Sequence, residues 1–107
     1  MRVLTFLASG RAWAIDPREV LAVQPAIGLA AAPGAPEGVL GIAAFRGDVV
    51  TVLAIPGVEG GAEPPETGSI LRLAPPREHL ALWVPGTVAL GDAADPEIER
   101  IDPLRFG

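Results

Sequence analysis

Thirteen glycines and twelve prolines are spread through a chain of 107 residues, nearly a quarter of the whole. Both residues break helices, so long helices have little room and an all-helical bundle is excluded. Short apolar segments lie between them from end to end, the pattern of strands separated by turns. With 50% hydrophobic and 20% charged residues the chain can offset its ordering entropy and fold. At this length one core is expected rather than two. The fold class is therefore all-β, as small curled sheets or barrels.

Along the chain, Val3–Ala8 and Arg11–Ile15 flank Ser9-Gly10, a hairpin signal. Asp16-Pro17-Arg18-Glu19 combines a capping residue with proline at the first helical position, so one helical turn is expected there. Val20–Gln24 returns to strand composition, and Pro25–Gly38 reads as a long connection. The strongest local signal is a second hairpin, Val39–Phe45 and Val49–Ile55 around Arg46-Gly47-Asp48, with both strands expected to be largely buried. Residues 56–68 hold four Gly, three Pro and three Glu and are expected to link a first lobe, 1–55, to a second, shortened lobe, 69–107, within a single domain.

Composition removes much chemistry. There is no Cys, a single His and no Lys, which excludes thiolate sites, the usual zinc sets, a P-loop lysine and a Schiff base. A net charge of −5 with eight scattered Arg offers no patch for nucleic acid. No metal or cofactor is expected. Arg11 interrupts the N-terminal apolar run, which argues against a leader, and prolines break the longest uncharged stretch, Val20–Pro36, which argues against membrane insertion. The expected compartment is the cytoplasm. Ser9, Ser69 and His79 sit at turns and strand ends outside any nucleophile elbow, while Glu59, Glu63 and Glu66 lie in the Gly/Pro-rich link; solvated roles are the plainer reading for all. Trp13 and Trp83 read first as core; alternation against Leu82 and Val84 makes Trp83 the better candidate to face outward.

The run Pro33-Gly34-Ala35-Pro36-Glu37-Gly38-Val39 through Phe45-Arg46-Gly47-Asp48 to Leu53 resembles the signature of CheW-like domains, a proline turn before an apolar strand that ends in Arg-Gly and leads into a second strand. Phe6–Val23 is similar to the family's opening and Gly68–Val84 to a later strand pair. Departures are Ala44 where the family usually has Asn, Ala22 where a charge is common, and Val84-Pro85 in place of Val-Asp. The resemblance implies two small SH3-like barrels, the second truncated, and points to a short variant like those of the myxobacterial gliding-motility pathway.

It further implies a non-enzymatic chemotaxis adaptor that binds the cytoplasmic tip of a methyl-accepting chemoreceptor. A CheA-type histidine kinase is expected to be held weakly or not at all, with other CheW-like proteins as further partners. Partner-binding residues on this reading are Val20, Ala22, Ile42, Arg46, Gly47 and Trp83. The rival is a small β-barrel enzyme or ligand-binding module whose carboxylates converge in the fold, which a deep acid-lined pocket would favour.

Overall fold

The computed structural model describes residues 2–58, 64–92 and 99–101. Strands dominate, and the helical element among these residues is one 3-10 turn, so the all-β expectation holds. The strands are β1 (Arg2–Ala8), β2 (Arg11–Ile15), β3 (Val20–Pro25), β4 (Val39–Phe45), β5 (Asp48–Leu53), β6 (Ser69–Leu73), β7 (Leu80–Val84), β8 (Ala89–Asp92) and β9 (Glu99–Arg100).

Both expected hairpins form with two-residue loops. Ser9 and Gly10 have φ of 52° and 76°, and Arg46 and Gly47 have 48° and 90°, the positive values a type I′ turn requires at both central positions. In the first hairpin Phe6 faces Trp13, with near-parallel rings at 6.2 Å, and the Trp13 indole N–H donates to the Ala8 carbonyl at 3.0 Å. Asp16 caps the 3-10 turn Pro17–Glu19 by accepting from the Arg18 amide at 2.9 Å.

The strands form two sheets, ordered β8-β1-β2-β9 and β3-β6-β7-β5-β4. Each takes strands from both sides of residues 56–68, so the lobes expected on either side of that segment share their sheets. The second sheet is centred on β7, antiparallel to β6 and parallel to β5. Every residue of β7 is buried, and the core gathers on it from both sheets, including Phe6, Trp13, Phe45, Val52 and Leu71.

Three expectations need correction. The sheets are not closed into barrels. On the outer edge of β4, Ile42 instead exchanges two backbone hydrogen bonds with Ala30 of the 26–38 connection, at 2.8 and 2.9 Å. The second hairpin alternates rather than being buried throughout, since Val50 and Val52 point inward while Ala44 and Val49 are exposed. Trp83, expected to face outward, is only 4% exposed, because a central strand covered on both faces buries both parities of its side chains.

Gly68 makes that burial possible. Its φ is +92°, and an added Cβ would run into the Val84 carbonyl oxygen and lie 2.9 Å from the Trp83 indole nitrogen, which donates to the Thr67 carbonyl at 2.8 Å. Gly68→Ala is therefore expected to cost more than about 2 kcal/mol, combining overpacking with left-handed strain. Gly47→Val, at φ +90° but in open space, carries strain alone, about 1–2 kcal/mol. Urea denaturation compares them; equal losses would contradict the crowding at Gly68.

Candidate functional site

The five-stranded sheet curls until its two edge strands, β3 and β4, face one another. No backbone ladder joins them; the Gln24 side-chain amide donates to the Ala44 carbonyl across the seam at 3.3 Å. Where the seam runs past the second hairpin, a cavity of about 250 Å³ opens between Leu21, Ala22, Phe45, Arg46 and Arg72.

A β-bulge shapes one wall. Val20 pairs with Leu73 and Ala22 with Arg72, which leaves Leu21 as the extra residue, 54% exposed beside the opening. Phe45, the last residue of β4, is buried in the floor. Arg72 lies against it, its guanidinium carbon 5.8 Å from the ring centroid. The Arg72 side chain is only 12% exposed and is held twice more: Nε donates to the Glu78 carbonyl at 2.7 Å, and both terminal nitrogens reach Asp48 Oδ2 at 3.3 Å. Arg46, exposed in the turn and part of the lining, has no hydrogen-bond or ion-pair partner among the described residues. The groove thus has an apolar floor and two arginines in its lining, Arg72 held by its bonds and Arg46 without a partner among the described residues.

The sequence candidates separate accordingly. Ala22 and Arg46 meet in the groove, with Gly47 exposed beside Arg46 in the turn. Val20 is half-buried at the head of β3 and packs against the core. Ile42 is half-buried on β4, where its backbone is bonded to Ala30. Trp83 lies inside the sheet and cannot present its ring to a partner. Sequence reasoning missed Leu21, Phe45 and Arg72. Only Arg72 left a signal, a lone charge among the apolar residues of Ser69–Leu73. The Arg46-Gly47-Asp48 tripeptide resolves into a turn followed by the counter-ion of Arg72.

Catalytic alternatives gain no support. Among the described residues no three His, Cys, Asp or Glu cluster in metal-binding geometry, and Ser69 donates to the Gly86 carbonyl at 2.9 Å. Glu59 and Glu63 lie outside the described residues. The other described cavities are lined mainly by apolar residues and proline, with Glu66 their single acid. No helix among the described residues is long and apolar enough to cross a membrane.

No family model matches the chain, and no curated protein matches it. A solved structure does: the scaffolding protein TtCheW from Thermoanaerobacter tengcongensis, with a TM-score of 0.65 and 19% identity. The match covers 82% of this chain and 61% of that one, so the chain spans about three fifths of that scaffold's length. The fold is CheW-like.

The bonds around Arg72 predict an asymmetry. Asp48 is 67% exposed, so Asp48→Asn removes a surface ion pair and is expected to cost under about 1 kcal/mol. Arg72→Met also loses a charged hydrogen bond to Glu78, a contribution of about 1.5–3 kcal/mol. Denaturant titration of both variants checks the order; a larger loss for Asp48→Asn would contradict it.

Proposed function

We propose that this chain is a non-enzymatic adaptor of the CheW kind, which docks on the cytoplasmic tip of a chemoreceptor through the groove between β3 and β4. The observation that carries the reading is the CheW-like fold, which the scaffolding protein TtCheW shares. The groove agrees with it. Leu21 and Val23 of β3, one edge of the seam, are 54 and 45% exposed, open aliphatic side chains available to a partner. Ala22, Arg46 and Gly47 are the proposed contacts, with Val20 and Ile42 supporting the two walls. A cytoplasmic location goes with this role.

Arg46 carries a second indication. A non-glycine residue at φ +48° bears a conformational cost that Gly or Asn would reduce. An arginine there without a partner among the described residues fits a side chain that acts on something outside the molecule.

The finer proposal is a short, FrzB-like variant that binds receptor but holds a CheA-type kinase weakly or not at all. About two fifths of the TtCheW chain has no counterpart in the match. Other CheW-like proteins are further proposed partners.

Isothermal titration of the purified chain against a receptor signalling-tip fragment and a kinase regulatory domain tests both levels. Receptor binding at least tenfold tighter than kinase binding is expected. Equal affinities would refute the selectivity, and no receptor binding would refute the adaptor. Arg46→Ala should weaken receptor binding at least tenfold while shifting stability by less than about 0.5 kcal/mol. Arg46→Asn should weaken binding equally and raise stability by up to about 1 kcal/mol. Unfolding of either variant, or unchanged binding, would overturn the role of Arg46.

A further inference from the structure

We propose that β8, the end strand of the four-stranded sheet, pairs with β8 of a second copy of this chain, antiparallel and centred on Leu90, so that the two sheets continue into one another. This goes beyond receptor docking and uses the other sheet from the one that carries the β3–β4 groove.

The edge of β8 is open. Along an antiparallel strand the N–H and C=O groups of successive residues turn to alternate sides, so a strand with one neighbour keeps half of them for another. β8 pairs with β1 through Arg2↔Asp92, Val3↔Gly91, Leu4↔Leu90 and Thr5↔Ala89, and no further backbone bond reaches Ala89, Leu90 or Gly91 among the described residues. The outer edge of β4, by contrast, is covered by Ala30 at Ile42 and by Gln24 at Ala44. β8 holds no proline, lysine or bulge, the devices that keep edges apart, and its one charge, Asp92, stands at its end.

The side chains define the strand that fits. Leu90 lies opposite Leu4, on the side of the sheet from which Leu4, Phe6 and Val88 pack against the core. It is nevertheless 51% exposed, since the sheet ends there. A strand laid beyond β8 with an aliphatic residue on the same side would cover it. On the opposite side Ala89 and Gly91 put nothing bulky in the way.

A second copy supplies that strand. With Leu90 opposite Leu90, a two-fold axis stands perpendicular to the sheet, both core-facing sides share one face, and the two leucines meet. The same register sets Ala89 against Gly91 and Val88 against Asp92. A slip of one residue would set Leu90 against Gly91 and turn the core side of one copy to the outer side of the other. In the centred register the two Asp92 side chains stand about 13 Å apart along the strand direction, beyond the screening length of about 8–10 Å. Two short strands bury far less than the roughly 1,600 Å² of a standard interface, and chains of net charge −5 repel, so the dimer is weak, with a Kd of about 0.1 mM.

Sedimentation equilibrium of the full chain from about 10 µM to 1 mM brackets that affinity and should show monomer giving way to dimer. Leu90→Lys, a charge at the centre of the pairing, should weaken the dimer at least tenfold. Leu7→Lys removes a more exposed leucine from the other face of the same sheet and should leave it unchanged. In a mixture of labelled and unlabelled wild-type chain, isotope-filtered NOEs should connect the Leu90 methyls of the two copies, which decides the matter even if Leu90→Lys fails to fold. A monomer throughout the range would overturn the proposal, as would a dimer that Leu90→Lys leaves intact, one that Leu7→Lys abolishes, or intermolecular NOEs that omit Leu90. Saturating receptor-tip fragment should leave the dimer in place; displacement would assign the edge to the receptor and overturn the pairing of copies. If the receptor fragment fails to bind while the chain dimerises through Leu90, the docking role falls and the pairing stands.

Discussion

Strand β7 runs through the middle of the larger sheet with all five residues buried, antiparallel to β6 on one side and parallel to β5 on the other. The parallel pairing of Thr51, Val52 and Leu53 with Leu80, Ala81 and Leu82 joins residues that the 56–68 connection separates, and it makes one sheet of the three strands β3-β6-β7 and the hairpin β4-β5. All five β7 residues belong to the buried core, and Trp83 packs against Gly68 while its indole N–H donates to the Thr67 carbonyl. A sheet of strongly twisted strands centred this way curls, and curling carries β3 toward β4.

The seam is the consequence. Full closure would have required a ladder between β3 and β4, but the outward backbone groups of β4 are taken by Ala30 at Ile42 and by Gln24 at Ala44. The edge of β4 is thus covered without being joined to β3, and the space left between them at the hairpin end becomes the groove. Its contents follow from two local devices. The bulge at Leu21 leaves an aliphatic side chain beside the opening and sets Ala22 opposite Arg72, while the type I′ turn brings Arg46 into the lining. Function, on this account, occupies the place where the barrel fails to close.

How much of this could be seen in the sequence depended on range. Ser9-Gly10, Arg46-Gly47 and Asp16-Pro17 each carry local chemistry that dictates a turn, and each forms where expected. The resemblance carried by Pro33–Leu53 and its flanks pointed to the CheW-like fold that the structural match supports. Trp83 was misplaced because alternation assumes one wet face, and a central strand has none. The β5–β7 and β3–β6 pairings are long-range, with no local signal for either partner, so the mixing of strands across 56–68 was invisible. Arg72 was overlooked for a related reason: its partners Phe45 and Asp48 are brought to it by the β5–β7 pairing.

The central claim is that the β3–β4 seam is the docking surface. Cross-saturation between methyl-labelled full chain and an unlabelled receptor-tip fragment measures this directly, since Leu21, Ala22 and Val23 line the seam while the exposed Leu7, Ile27 and Leu90 lie elsewhere on the fold. The account predicts intensity loss at Leu21, Ala22 and Val23 with Leu7, Ile27 and Leu90 unaffected. Loss centred on Ile27 or on Leu7 and Leu90, with the seam methyls untouched, would contradict it.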